Sequence, residues 1–194
     1  YLDHDWMRDM GENFPIFRPP LNLHQLYGEQ APGTVGTNAA GQAEVAVRYL
    51  TPHNKWAIHS QYFDNLHMLS LSRGGQVVWM SPADAAKVGV RDNDWIEAYN
   101  RNGVVAARAI VSHRIPEGTA YMYHASERTV GPPVTETSGP RGGLPNSLTR
   151  LVVKPSHFVG GYAQHSYAFN YIGPTGNQRD EVTVIRRRSQ EVEF

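Results

Sequence analysis

Residues 92–112 of the chain read DNDWIEAYNRNGVVAARAIVS, and their pattern sets the fold class. Trp95 to Tyr99 and Val104 to Ser112 are rich in aromatic, β-branched and small apolar residues, and Asn100-Arg101-Asn102-Gly103 between them is a run of turn formers. Two such runs across a short polar turn predict a β-hairpin. Asp92 and Asn93 supply a β-turn ahead of the first strand. The stretch is not a calcium loop, because it lacks the glycine and terminal glutamate of an EF-hand.

The neighbouring sequence continues the theme. Val45, Val47 and Tyr49 alternate with smaller or polar residues, the period-two pattern of a half-buried strand. Gln76 to Met80 predicts a short strand. Ser81-Pro82-Ala83-Asp84 predicts a helix start, with Ser as N-cap, Pro at N1 and Asp at N3, and Gly89 stops that helix. Pro116-Glu117-Gly118 turns the chain into a strand over Thr119 to His124, and Val182 to Arg186 closes the sheet. Short helices are expected over Asn146 to Leu151 and Tyr162 to Phe169. Short strands, few short helices and tight turns predict a mainly β fold with short α insertions, a small β-barrel.

The N-terminal part differs in character. Asp3 to Met10 reads as a short helix ended by Gly11, and Pro15, Pro19 and Pro20 keep Phe14 to Leu21 extended. Gly33, Gly36 and Gly41, set among Ala, Thr and Asn, mark Gln30 to Gln42 as a mobile loop or linker. The expected organisation is an extended arm and Gly/Ala-rich linker over residues 1–43 and a barrel domain over residues 44–194. Trp6, Phe14, Ile16 and Phe17 on the arm call for a surface to pack against.

Composition narrows the function. The 194 residues carry 18 basic against 18 acidic side chains, are 40% hydrophobic and include no cysteine. Zero net charge argues against a nucleic-acid partner, which selects a basic stripe. Arg186-Arg187-Arg188 is the one locally basic run, and it reads as a solvated strand end. Without cysteine there is no disulfide, thiolate metal site or cysteine-ligated iron–sulfur cluster in this chain. No apolar run is long enough to span a bilayer. The opening YLDHDWMRDMGEN has neither an initiator Met nor a signal-peptide pattern and reads as part of a longer protein.

Three segments carry chemistry. Tyr49 to Ser60, YLTPHNKWAIHS, gathers Thr51, His53, Lys55, His59 and Ser60 at a strand end and the loop after it. Imidazoles, a lysine and hydroxyls suit a polyanionic heteroaromatic ligand, with cations for phosphate and ring nitrogens for pterin or base edges; the plain alternative is a solvated loop. His53 and His59 do not read as a zinc pair, because their spacing matches no common zinc pattern and no Cys or convincing third ligand is nearby. The second segment is Arg141-Gly142-Gly143 with Asn146, Ser147 and Thr149. Two glycines allow close backbone approach and Asn pairs with a heterocycle; alternatively, Ser or Asn caps a helix there, whose N-terminus would itself attract an anion. The third, Gly176-Asn177-Gln178-Arg179, sets an amide beside a guanidinium and suits guanine edges and phosphate, or is a turn in which Arg179 pairs with Asp180 or Glu181. His124 and Glu127 read as a solvated corner past a strand end.

Taken in order, TPHNKWAIHS, DNLHMLSLSRGG, DNDWIEAYNRNGVVAARAIVSHRIPEG, YHASERT, RGGLPNSLTRL, HFVGGYAQHSYAFNY and GNQRDEVTV resemble the C-terminal part of the catalytic alpha subunit of membrane-bound respiratory nitrate reductases. The resemblance covers nearly the whole chain and is weakest over Gln30 to Glu44. One departure is Pro145, where the family pattern leads one to expect His. The resemblance implies a double-psi β-barrel that binds molybdenum bis(molybdopterin guanine dinucleotide), with Thr51, His53, His59, Ser60, Arg141, Gly142, Gly143, Asn146, Ser147, Thr149, Gln178 and Arg179 at the cofactor. It also implies that no residue of this segment ligates molybdenum or acts on nitrate, since an upstream Asp ligates the metal and any iron–sulfur cluster lies outside the segment. Implied partners are the upstream part of the alpha subunit, an iron–sulfur beta subunit and a membrane anchor subunit, which places the enzyme at the membrane, on its cytoplasmic face, with no insertion by this chain. A nitrite-oxidising relative and a non-catalytic nucleotide- or protein-binding barrel are the alternatives.

Overall fold

A computed structural model describes Asp5 and residues 28–59, 61–62, 65–71, 76–124, 134–137, 143–149, 153–154, 165–166 and 181–192. The expected helix over Asp3 to Met10 and the proline-stiffened path over Phe14 to Leu21 lie outside these residues, apart from Asp5.

The predicted hairpin is the centre of the sheet. β4 (Trp95–Asn100) and β5 (Gly103–Val111) pair antiparallel from Trp95↔Arg108 to Asn100↔Gly103, so the loop is only Arg101 and Asn102. Around them lie β1 (Val35–Thr37), β2 (Ala43–Leu50), β3 (Val77–Met80), β6 (Thr119–Tyr121) and β9 (Glu181–Arg187). The order β2-β6-β3-β5-β4-β9 closes on itself, because β2 also pairs with β9. The result is a six-stranded barrel, as expected. β2 runs parallel to β6 and β3 parallel to β5, while the other barrel pairs are antiparallel. A barrel leaves no open edge along these strands.

The interior is filled by Val45, Val47, Tyr49, Val78, Met80, Ile96, Ala98, Val105, Ala107, Ala120, Met122 and Ile185, each with no exposed surface. β2 departs from simple alternation: Ala46 is as buried as Val45 and Val47. Its outward face is covered because Ala46 exchanges backbone hydrogen bonds with Gly33 and Thr34.

That contact corrects the reading of Gln30 to Gln42 as a free loop. Val35–Thr37 is a strand paired antiparallel with Ala43–Val45. The reversal is held by Asn38, whose side-chain oxygen accepts the N–H groups of Ala40 and Gln42 at 3.0 Å, a local side-chain turn that the composition hid.

α1 (Leu66–Leu71) and α2 (Pro82–Lys87) are the α insertions seen among the described residues of the barrel. α2 starts as predicted, with the Ser81 hydroxyl accepting the Asp84 N–H at 3.0 Å, and Gly89 ends it at φ 65°. The buried Asp84 carboxylate also accepts the Gly118 N–H at 2.7 Å and faces Lys87 at 3.1 Å. A 3-10 turn, Pro145–Ser147, stands where a helix over Asn146 to Leu151 was expected. β7 (Val153–Lys154) pairs with β8 (His165–Ser166), so the centre of the helix expected over Tyr162 to Phe169 is strand.

The basic run is not a solvated strand end. Glu97 is fully buried and pairs with Arg186 at 2.9 Å and Arg188 at 3.1 Å, both guanidinium groups being nearly as buried. Glu97 also accepts the backbone N–H groups of Glu136 and Thr137 and the Thr137 hydroxyl. Arg186 reaches Glu136 at 2.7 Å. Arg187 alone faces outward, toward Asp94 at 3.2 Å. Alternate residues of a strand take opposite faces, and here the face of Arg186 and Arg188 is roofed by residues 134–137.

Candidate functional site

The strand registers place the start of the segment after β2 and residues 143–149 at one end of the barrel. Leu50 pairs with Tyr121, Tyr49 with Glu181, Tyr99 with Val184 and Asn100 with Gly103. One mouth is therefore formed by the C-terminal ends of β2, β6 and β4 and the N-terminal ends of β3, β5 and β9. The segment after β2 leaves from this mouth, residues 143–149 pack on the β5 end, and Gln178 and Arg179 immediately precede β9 in sequence. Ser60, Arg141, Gly142, Gln178 and Arg179 themselves lie outside the described residues.

Because β2 and β6 are parallel, the chain leaves both strands in the same direction. The pairing continues past their ends: Met122 donates its N–H to Leu50 and His124 to Pro52. His124 thereby arrives beside His53 and His59. The ring centroids of His53 and His124 are 4.3 Å apart, and each lies 5.3 Å from that of His59. His124 Nε2 stands 3.3 Å from His59 Nδ1. One ligand-type atom from each ring falls within 4.8 Å of the others. The expectation that no third ligand is near His53 and His59 is thus corrected, while His53 and His59 are exposed and His124 half-buried, so the corner they form is open to solvent. Glu127 lies outside the described residues. Sequence reading missed His124 because it is 65 residues from His59, and only the parallel β2–β6 pairing joins them.

His59 takes φ 50°, a left-handed conformation uncommon for a non-glycine residue. Asn54 shapes the loop by accepting the Trp56 N–H at 2.8 Å. Lys55 stacks its ammonium 4.7 Å from the centre of the Trp56 ring. Thr51, two residues past Tyr49, has a buried hydroxyl oxygen with no hydrogen-bond partner among the described residues. Such groups are normally satisfied, which leaves this oxygen open to a further partner.

The second segment is a tight turn seated on the hairpin. Gly143 donates its N–H to Val104 at 2.7 Å, and Ser147 accepts the Leu144 N–H on its hydroxyl at 3.0 Å. A Cβ at Gly143 would overlap the Ser147 side chain, and one at Gly103 would lie 2.9 Å from the Ser147 carbonyl oxygen. The glycine approach predicted here therefore serves the turn itself. Ser147 and Thr149, whose hydroxyl donates to the Asn146 carbonyl at 3.0 Å, brace the turn, while the Asn146 side chain is exposed. A three-residue 3-10 turn offers no helix N-terminus for an anion.

The chain matches known proteins in sequence and in fold. A family model described as the Molydopterin dinucleotide binding domain matches residues 47–165. The chain belongs to that family. It is 60% identical to a nitrate reductase alpha subunit of Mycobacterium tuberculosis over all 194 residues, and 50% identical over 187 residues to the respiratory nitrate reductase 1 alpha chain of Escherichia coli, covering 100% and 96% of this chain. It spans 15% of the length of each of these relatives. Among solved structures, the acetylene hydratase of Pelobacter acetylenicus superposes with a TM-score of 0.52 at 14% identity, over 94% of this chain and 22% of that one, a likeness of fold.

The residues at the mouth of this dinucleotide-binding domain fit a pterin dinucleotide. The Thr51 hydroxyl, which has no partner among the described residues, three clustered imidazoles and the exposed Asn146 amide offer donors and acceptors to heterocycle edges and anionic groups. No helix among the described residues is long and apolar enough to cross a membrane.

Proposed function

We propose that this domain binds and orients molybdenum bis(molybdopterin guanine dinucleotide) in the alpha subunit of a respiratory nitrate reductase. The observation that carries the reading is the convergence of Thr51, His53, His59 and His124 at one barrel mouth, with the Thr51 hydroxyl oxygen buried and without a hydrogen-bond partner among the described residues. The cofactor supplies the two-electron oxygen-atom transfer that turns nitrate into nitrite. The chain's own residues supply the seat. Thr51 and the imidazoles hydrogen-bond the pterin and its charged groups, Asn146 reads a heterocycle edge, and the closed barrel keeps water from that face. No residue of the domain acts as acid, base or metal ligand in this reading. Ser60, Arg141, Gly142, Gln178 and Arg179 complete the proposed contact set through their positions in the chain. The names of the relatives, a nitrate reductase alpha subunit and a respiratory nitrate reductase alpha chain, support nitrate as substrate and a place beside other subunits; we take those subunits to be an iron–sulfur beta subunit and a membrane anchor, with the enzyme at the cytoplasmic face. The test is cofactor content: in the full-length enzyme, Thr51→Val and His124→Ala should each lower the molybdenum and pterin recovered per protein. Parent-like content in both would refute the seat.

A further inference from the structure

We infer that Tyr49 is a positioning residue that fixes the two cofactor-contacting segments relative to each other, an inference that rests on the proposed seat. Tyr49 is fully buried on β2, two residues before Thr51. Its hydroxyl crosses the barrel mouth and donates to the Pro145 carbonyl at 3.1 Å, over 96 residues of sequence. Pro145 opens the turn that carries Asn146. One buried hydrogen bond therefore joins the strand that delivers Thr51, His53 and His59 to the turn that delivers Asn146.

The other attachments of that turn come from the hairpin. Asn100 and Asn102 donate their side-chain amides to the Leu148 carbonyl at 2.8 and 3.1 Å, Gly143 is held by Val104, and Leu148 itself is fully buried. These contacts fasten the turn to β4 and β5. Among the described residues, Tyr49 provides the side-chain hydrogen bond that fastens it to β2. Burial raises the Tyr49 hydroxyl well above its ordinary range, so it stays protonated and remains a donor throughout the working pH range. Without the hydroxyl, the turn would stay on the hairpin but lose its fixed distance to Thr51, and a ligand held from both sides loses preorganised contacts.

The experiment compares three variants of the full-length enzyme. Tyr49→Phe keeps the buried ring and removes the hydroxyl. Ser81→Ala removes a buried hydroxyl at the far end of the barrel and serves as a stability-matched control. Asn146→Ala tests the underlying seat. Tyr49→Phe should release its pterin about two- to tenfold faster under mild denaturant, the range expected for one net hydrogen bond, and should shift the molybdenum(V) EPR signal. Ser81→Ala should lower the melting temperature while retaining pterin and the parent signal. Identical release and an unchanged signal in Tyr49→Phe would overturn the positioning role, as would a Ser81→Ala variant that matched it in both readouts. Parent-like release and signal in Asn146→Ala would instead overturn the turn's place in the seat.

Discussion

The imidazoles at the mouth are individually replaceable, which makes them testable residue by residue. A hydrogen bond to a charged, buried group contributes about 1.5–3 kcal/mol. His53→Ala, His59→Ala and His124→Ala in the full-length enzyme should each lower cofactor occupancy or shift the molybdenum potential, with the barrel still folded. His113, exposed past the end of β5, is the control and should do neither. Molybdenum content and redox titration of the four variants decide the matter, and uniform parent-like behaviour would reduce the cluster to surface. A different residue tests the seating of the turn. Gly103→Ala places a methyl 2.9 Å from the Ser147 carbonyl, a backbone atom that cannot swing aside. Overpacking of this kind costs about 1–3 kcal/mol, to be read from chemical denaturation. At this scale the sequence exposed His53 and His59, which share one loop, and hid His124 and the Tyr49–Pro145 contact. Both hidden contacts depend on strand pairing, which no local pattern reports.

Elements were legible where their own residues specify them. The hairpin around Arg101 and Asn102 and the capped start of α2 follow from turn and cap chemistry within a few residues. β1 was not legible. Val35–Thr37 is three residues long and flanked by turn residues, so its strand character comes from the β2 edge it pairs with and not from its propensity. This changes an expectation about the linker. Read as a free loop, Gly33 to Gly41 should be removable with little effect. In the structure, deletion of residues 33–41 strips β1 from β2 and uncovers Ala46, so the melting temperature should fall by several degrees. A deletion variant melting with the parent would restore the linker reading. The arm residues Trp6, Phe14, Ile16 and Phe17 lie outside the described residues, and their packing stays a prediction.

The whole molecule divides its work between the barrel's ends. The mouth formed by the ends of β2, β6 and β4 carries the proposed cofactor seat, and the opposite end carries Glu97, Glu136, Arg186 and Arg188. Charges buried together are costly to separate: removing one partner of a buried pair typically destabilises by about 3–5 kcal/mol. Glu97→Gln should therefore lower stability by that order without changing pterin release. Thr51→Val should do the reverse. Acid tests the same division. Burial pushes the Glu136 carboxyl up, but the N–H groups of Gln190 and Ser189 and the Arg186 guanidinium together hold it below the usual carboxylate range. A depressed folded value means that its stabilising contribution is fully present above the unfolded-state value and is lost as pH falls through the folded one. Stability of the parent should decline in that acid window, and Glu136→Gln should flatten the decline while starting from a lower plateau at neutral pH. Urea denaturation at a series of pH values reads both quantities. An acid decline of the same depth in parent and variant would show that the Glu136–Arg186 pair does not govern the acid stability of the barrel's far end.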